Sequence, residues 1–575
     1  MPDIHKNFST ISLRPSATIS EALRLMADNR PGETRLHGGI VLVIDDKRRL
    51  LGITTDGDLR RALAYGKTTE SLVGEVMNKK AFFIEGPRSS SEILSAATQK
   101  IREEGWLKGH LAKIIIVDKE NRVIDLVSFF DLWQASDVRF KQIGVVGLGY
   151  VGLTLGLTLA DIGFTVRGTD TNPRVAETIK KKKSPFFEEG IDALLKDHVG
   201  TRFAVVPDFK GKNNCDVYFI AVGTPLDKKN LPSLAYIKKA AENLGNVLKQ
   251  GDTVILRSTV PLGTTRDVVA PILEKKSGLR AGEEFFVAFA PERTIEGKAL
   301  QELRTLPQVV GGFNRAGANI AANIFSLMTD TVFLVDTLEE AEIVKLINNT
   351  YRDVTFAFAN ETARICRRWG IDTNKVIHAA NAGYARSAVP KPSPGVGGYC
   401  LEKDPFIFIE TANRKGYFPE LFHQARKVNK EIVKELAGDI AQFLSSKGRA
   451  QKNEKIFILG FAFKGIPPTS DMRGSPTISL VKELQKIGHK NIFGFDPLVM
   501  KDEISSLGVR TVRTLKEGFK DARAVIIMHN HPALGTLRIR ELLVLTKKES
   551  IFFDTWALYG RDEVAKVPGV QYKRL

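Results

Sequence analysis

The sequence predicts an α/β protein in which two doubly wound domains flank a helical middle, with a smaller repeated module in front. Three observations carry this prediction. Apolar strands alternate with amphipathic helices from about residue 140 to 335, and again from Lys455 to the C-terminus. Between these stretches, helical periodicity runs from Thr337 to Trp369 and then in a second group to about Lys447. Ahead of them, strand, Asp-containing turn, strand, hydroxyl residue and helix-opening Asp occur twice, about 70 residues apart. At 575 residues the chain exceeds what one hydrophobic core organises. The expected domains are 1–138, 139–335, 336–450 and 451–575, with the first boundary near Ser136-Asp-Val-Arg-Phe-Lys141.

Composition excludes several classes. With 43% hydrophobic and 26% charged residues, the chain reads as an ordinary globular protein. No apolar run approaches the roughly 20 residues that span a bilayer. The opening MPDIHKNFST lacks a signal-peptide profile. Three cysteines (Cys215, Cys366 and Cys400) without paired spacing point to a reducing compartment, so a cytoplasmic protein is expected. The net charge of +18 raises nucleic-acid binding. The lysines are scattered in short groups such as Lys180 to Lys183, without an aromatic-basic signature. Solvated helix faces and sites for small anions are expected instead, with neither nucleic acid nor membrane as partner. His529 and His531 flank Asn530 beyond a strand, and no carboxylate or cysteine spacing completes a metal site. They read as loop residues, and no metal is expected.

The first repeat runs from Gly38-Gly39-Ile-Val-Leu-Val-Ile-Asp-Asp through Arg49-Leu-Leu-Gly-Ile-Thr-Thr-Asp-Gly-Asp-Leu to Leu63. The second runs from Lys113-Ile-Ile-Ile-Val-Asp to Asp131-Leu132. The pair resembles a tandem CBS-domain module through Gly52-Ile-Thr-Thr55-x-x-Asp58. That resemblance implies an adenine nucleotide as partner, with Thr55 and Asp58 addressing a ribose. The second copy offers Ser128 and Asp131, but has Asp125 where glycine is usual. The alternative for Thr55 and Asp58 is a helix N-cap.

The strand Lys141-Gln-Ile-Gly-Val-Val runs into Gly147-Leu-Gly149-Tyr150-Val151-Gly152 and then a helix. The first glycine permits the tight turn, the second a close approach to a pyrophosphate, and the third helix packing. The next strand ends in Asp170, placed to bond an adenosine ribose and to disfavour a 2′-phosphate, so NAD is expected over NADP. Tyr150, Val151 and Arg174 join the expected cofactor set. Thr224-Pro225 and Ser258-Thr259 end later strands, where ligands bind in open sheets.

Pro394-Gly-Val-Gly397-Gly-Tyr-Cys400-Leu-Glu-Lys403-Asp404 carries the chemistry. Glycines would expose the sulfur, and the neighbouring Lys403 would lower its pKa. Cys215 and Cys366 read as buried small hydrophobes.

From about residue 140 onward the chain resembles the UDP-glucose/GDP-mannose dehydrogenase family. The motifs occur in order: the glycine fingerprint, Thr224-Pro225, Ser258-Thr-Val-Pro-Leu-Gly-Thr264, Pro291-Glu292-Arg293, Lys345 with Asn349, the Cys400 segment, Phe461-Ala-Phe-Lys464 and Asp471-Met-Arg473-Gly-Ser-Pro476. The resemblance implies oxidation of a nucleotide-sugar C6 alcohol to the uronate, with two NAD reduced and a Cys400 thioester. Lys345 and Asn349, four apart on one helix face, would stabilise the oxyanion. Asp404, Glu296 and Thr259 would position or activate water. Lys464 would meet the sugar nucleotide, and Arg473 the phosphate of either ligand. Glu292, Arg293 and Gly397 would join the substrate set, and Tyr384-Ala-Arg386 would reach substrate across a subunit boundary. A homodimer or higher oligomer is therefore expected. Pro291-Glu-Arg resembles the UDP-N-acetylhexosamine branch and Glu296-Gly297 the glucose branch. Two departures stand out: Gly465-Ile-Pro-Pro-Thr-Ser470 is longer than usual, and Asp554-Thr-Trp556 replaces Asp-Gly-Arg. A two-electron hydroxy-acid dehydrogenase and a nonenzymatic nucleotide-sensing protein are the competing readings.

Overall fold

A computed structural model describes residues 11–28, 39–86, 93, 113–128, 141–445 and 453–575. The chain divides into two compact units, Met1–Phe140 and Lys141–Leu575. Among the described residues no helix is long and apolar enough to cross a membrane, and no His/Cys/Asp/Glu group is arranged to hold a metal.

The repeat of the first unit is visible in its turns. Ile40–Ile44 pairs antiparallel with Leu50–Thr55, and Lys113–Val117 with Val123–Ser128. In one turn Asp45 Oδ1 accepts from the Lys47 and Arg49 backbones, and Oδ2 from Arg49 Nε. Asp118 does the same with Glu120 and Arg122. Arg48 and Asn121 take the left-handed conformation, at φ 61° and 60°. The hairpins join where Leu50 N donates to Asn121 O and Val123 N to Arg48 O. Leu42, Ile53, Ile115 and Leu126 then share one core, so neither copy buries its apolar face alone.

In the second unit an eight-stranded sheet has the order Val332–Leu334, Gln308–Gly312, Phe286–Phe289, Thr253–Leu256, Val217–Ile220, Gln142–Val146, Thr165–Thr169, Phe203–Val205. All pairings are parallel except that between Phe286–Phe289 and Gln308–Gly312. The strand order reverses between Gln142–Val146 and Val217–Ile220, which opens a crevice at their carboxyl ends. A second sheet of six parallel strands is centred on Ile456–Leu459 and Ala524–Ile527. Its two central strands are four-residue runs, Ile-Phe-Ile-Leu and Ala-Val-Ile-Ile, buried on both faces as parallel sheets require.

A 31-residue helix, Leu338–Arg368, joins the two sheets. It starts in a capping box between Thr337 and Glu340, the Ser/Thr-x-x-Glu signature of a helix N-terminus. The Tyr399–Asn413 and Glu420–Ser445 helices pack on it. A buried polar network fastens this layer. Arg426 donates to Asp353 at 2.6 Å and to the Leu401 carbonyl at 3.2 Å. Asn429 donates to Asp353, Asn360 to Asn429, and Ser393 N to Asn360 Oδ1. The segment leading to Cys400 is therefore held at both ends by hydrogen bonds that leave the helices little freedom to slide. On its outer side the long helix exposes Ile347, Tyr351, Phe358, Ile365 and Trp369. Their spacings of four and seven place them along one seam.

Candidate active site

The fingerprint glycines are explained by contact. Gly147 takes φ 92°, and a Cβ there would meet the Ala221 carbonyl at 2.8 Å. The Gly147 carbonyl stands where a Gly152 Cβ would go. A Cβ on the exposed Gly149 would meet nothing within 4 Å. The loop is thus closed toward the protein and open at Gly149, as close approach of a pyrophosphate demands. Asp170 follows its strand and accepts from Leu148 N and Asn172 N, both at 2.8 Å, so it fixes the glycine loop. Thr224 is buried, and its hydroxyl has no partner among the described residues. Pro225 is half-buried beside it, as is Val151 in the fingerprint. Arg174 opens the helix after Asp170, its backbone bonded to Asn172, with an exposed side chain. These residues fit a dinucleotide.

Cys400 lies in the first turn of Tyr399–Asn413, after Gly398 at φ 94°. Gly397 and Gly398 are tightly enclosed: a Cβ on the first would meet Pro476, and on the second Phe463. The cysteine turn is therefore packed against the C-terminal domain. The thiol is half-buried rather than exposed. Burial pushes its pKa up; Lys345 and Lys403 pull it down, while Asp404 and Glu296 push it up. The net shift is upward, against the expectation drawn from Lys403. The reason is burial, which outweighs both lysines; Lys403, moreover, has Nζ bonded to Asp404 Oδ1 at 2.6 Å, and that carboxylate opposes its effect on the sulfur. Asn349 Nδ2 donates to the other Asp404 oxygen at 2.6 Å. Lys345 and Asn349 do share a face of the long helix, and Lys345 is nearly buried.

Glu296 acts electrostatically on the same thiol. Burial, then Asp471, raise its carboxyl to about 7, while Arg473 and Lys464 oppose the shift. Lys464 Nζ donates to the Glu296 carbonyl at 2.6 Å; burial lowers its pKa to about 8. Arg473 is bonded to Asp471 at 2.6 Å, reaches Glu296 at 3.5 Å and lies 5.1 Å over the Tyr399 ring. The long loop after Lys464 seats on the Gly297 turn, where Pro468 O faces the glycine. Thr259 is buried in a loop pinned to the long helix by Glu342. That carboxylate accepts from Gly263 N at 2.6 Å, Thr265 N at 2.8 Å and the Thr265 hydroxyl at 2.6 Å.

Other expected residues are engaged elsewhere. Glu292 is buried and accepts from Arg257 Nε and Nη2 at 3.0 and 2.8 Å. Arg293 donates to the Pro307 carbonyl. Exposed Arg386 stacks on Tyr384 at 4.8 Å. Thr55 and Asp58 form a capping box on the Asp56–Ala64 helix, and Asp58 also accepts from Arg61 at 2.6 Å. Asp131 and the Ser128 side chain lie outside the described residues. His529 lies in the loop just past the Ala524–Ile527 strand, as expected, and is buried there, with Nε2 2.9 Å from Asp496. Trp556 Nε1 donates to the Met528 carbonyl at 3.0 Å.

Sequence reasoning missed Arg352, Tyr399, Glu342, Arg257 and Glu188. Arg352 interacts electrostatically with Cys400 and Lys464. It follows Asn349 by three positions on the same helix face, so helical periodicity could have found it. Tyr399 precedes the cysteine, and its hydroxyl lies 3.5 Å from where a Gly223 Cβ would be.

Residues 141–329, 339–431 and 457–561 match the NAD binding, central and UDP binding domains of the UDP-glucose/GDP-mannose dehydrogenase family. Residues 5–65 match a CBS domain. The chain is 34% identical to a UDP-N-acetyl-D-mannosamine dehydrogenase of Pyrococcus horikoshii, over 68% of this chain and 90% of that protein. It is 30% identical to a UDP-N-acetyl-D-glucosamine 6-dehydrogenase of Pseudomonas aeruginosa, over 73% of this chain and 98% of that one. A solved structure of UDP-D-ManNAc dehydrogenase from P. horikoshii superposes with TM-score 0.68 at 30% identity, covering 75% of this chain and 98% of that one. The glycine cradle, the enclosed cysteine turn and these matches agree: the chain belongs to the UDP-glucose/GDP-mannose dehydrogenase family, with an NAD-binding domain and an N-terminal CBS domain.

Proposed function

We propose that the chain oxidises the C6 alcohol of a UDP-N-acetylhexosamine to the carboxylate through a thioester on Cys400. The observation that carries this reading is one half-buried thiol beside Lys345, with Asp404 bonded to Lys403 and Asn349, and Glu296 electrostatically coupled to it. Relatives named for UDP-N-acetylmannosamine and UDP-N-acetylglucosamine support the sugar class over UDP-glucose.

NAD, when bound, supplies the hydride acceptor for each of the two oxidations. Glu296, with a carboxyl near 7, can both take and return a proton at neutral pH. It takes the proton of the C6 hydroxyl as that carbon is oxidised to the aldehyde. Cys400, its proton lost to solvent, then adds its thiolate to C6 as the C=O π bond opens, and Lys345 and Asn349 hold the oxyanion that forms. Loss of the second hydride leaves a thioester. Asp404, with Thr259 orienting the water, takes one water proton as the oxygen adds to C6; the C–S bond then breaks with its electron pair on sulfur, regenerating the thiolate, and the acid loses its remaining proton to solvent and departs as the carboxylate. Lys464 and Arg473 neutralise the diphosphate.

The test is NADH release from a panel of UDP- and GDP-sugars. Two NADH per UDP-N-acetylhexosamine is expected; one NADH, or turnover of hydroxy acids alone, sinks the reading. The same assay with ATP, AMP or S-adenosylmethionine examines the CBS module. There a nucleotide ribose would displace Thr55 and Arg61 from Asp58, and a changed rate is expected. If the rate and the melting temperature both stay fixed, the proposed nucleotide regulation fails.

We also propose that a second copy of the chain covers the apolar seam Ile347, Tyr351, Phe358, Ile365 and Trp369. Large exposed apolar side chains aligned on one helix face mark protein interfaces. Sedimentation should give twice the monomer mass, and Tyr351→Glu with Phe358→Glu should return the monomer. A monomeric unaltered chain at micromolar concentration contradicts this.

A further inference from the structure

We propose that Glu188 is a positioning residue that ties the cofactor helix to the substrate side of the active site. Its surroundings argue the case. Glu188 is 4% exposed, far from the catalytic segments in sequence, and lies just before the Ile191–His198 helix. Tyr150, the first residue of the helix that follows the glycine fingerprint, donates its hydroxyl to the Glu188 carboxylate. The Gly297 amide donates to both groups, at 2.7 Å to Glu188 Oε2 and 2.6 Å to the Tyr150 hydroxyl. Leu300 N donates to the other carboxylate oxygen at 3.4 Å. Gly297 adjoins Glu296, whose carbonyl receives Lys464 from the C-terminal domain. One carboxylate thus connects the helix under the pyrophosphate loop, the turn that carries Glu296 and, through that turn, Lys464.

Glu188 also lies close enough to Lys464 to favour its charged ammonium. The groups facing Lys464 are Glu296, Glu188 and Glu302, which hold the proton on, and Arg352, which opposes it; burial opposes it most. Tyr150 is itself fixed by Phe186, with ring centroids 4.7 Å apart, so the hydroxyl that meets Glu188 comes from a restrained ring. A shift of the fingerprint loop on cofactor binding would therefore be felt at Glu296 and Lys464 through this contact. The inference rests on the substrate reading above only in naming Lys464 as a contact of the nucleotide diphosphate.

The test uses the full chain with Glu188→Ala, Glu188→Gln and Tyr150→Phe. Uridine diphosphate binding is measured by titration calorimetry, and NADH release from UDP-N-acetylhexosamine is followed across pH. Displacing the Glu296 turn by even a fraction of an ångström is expected to lower kcat/KM by about 10–100-fold in Glu188→Ala. Uridine diphosphate affinity falls with it. Glu188→Gln keeps an accepting oxygen and recovers part of the loss, yet in both variants the basic limb of the pH profile moves to lower pH, because Lys464 loses a negative neighbour. Tyr150→Phe falls between the unaltered chain and Glu188→Ala. Unchanged diphosphate affinity and an unmoved basic limb in a folded variant overturn the proposal. If Glu188→Ala fails to fold, Glu188→Gln decides through the same two readouts. If the unaltered chain turns over no nucleotide sugar, the functional reading falls, and the uridine diphosphate titration still decides the role of Glu188.

Discussion

Cys400→Ser should stop net uronate formation, by at least about 10³-fold, while NAD binding stays unchanged. The aldehyde formed in the first oxidation is a poor hydride donor until a nucleophile adds to it. Serine at this position has the shape to add but not the acidity. Burial already pushes the Cys400 thiol above its ordinary value. A hydroxyl, with a far higher pKa, would stay protonated in the same place. The cations near the site are arranged for an anion of modest basicity: Lys345 acts directly on the sulfur, and the start of the Tyr399–Asn413 helix adds its partial positive charge. The variant should still release NADH from the first oxidation in single turnover. Because the thiol titrates above the usual thiol range, the second step of the unaltered enzyme should quicken as pH rises, and that alkaline limb should vanish in the serine variant. Rapid-mixing absorbance, product chromatography and NAD calorimetry read the three quantities. Normal two-step turnover by Cys400→Ser would remove the thioester mechanism.

What the sequence revealed and what it concealed divide along chain separation. The fingerprint glycines were legible because strand, turn and helix are contiguous, and each glycine answers a contact a few residues away. Lys345 and Asn349 were legible because helical spacing alone puts them on one face. Arg352 obeys the same spacing and was overlooked for want of a motif. The activation of Cys400 was misjudged for a physical reason. Adjacency suggested Lys403 as the activating cation, whereas burial in the fold outweighs it and raises the thiol, Asp404 pairs with Lys403, and Lys345 reaches the sulfur from another helix. Glu188 was invisible because its partner Gly297 lies 109 residues away. The burial of His529 in its loop was invisible because its partner Asp496 follows a different strand of the second sheet, 33 residues earlier. Such pairs are created by strand order, which a single sequence does not encode locally. In the first unit, Thr55 and Asp58 cap their helix, the alternative that local chemistry had already offered.

Arg257→Met should lower the unfolding midpoint of the catalytic unit sharply, by the equivalent of about 3–5 kcal/mol. Arg257 is among the largest fully buried side chains. Its guanidinium donates twice to Glu292, once to Gln308 at 3.2 Å and once to the Ala290 carbonyl at 3.3 Å, with the Phe325 ring 5.0 Å from it. Methionine would fill much of the volume but leave the Glu292 charge buried with Thr294, through its backbone and side chain, and the more distant Lys345 as its remaining support. The pH dependence follows from the sign of the shift. Burial favours the neutral acid, yet Arg257 above all holds the folded Glu292 below its ordinary range. The pair therefore adds stability above the unfolded carboxylate pKa, and that stability is lost as pH falls through the depressed folded value. Without Arg257 the folded pKa rises instead, so the gap between variant and unaltered chain should be widest near neutral pH and narrow in acid. Glu292→Met in the Arg257→Met background should recover most of the midpoint, because it removes the uncompensated charge rather than a second favourable contact. Thermal unfolding of the four proteins at neutral and acidic pH closes the cycle. Equal midpoints for Arg257→Met and the unaltered chain at neutral pH, or simple additivity in the double variant, would mean that the buried charge is compensated by some other group, and Glu292 would then be free for the substrate role its motif implied.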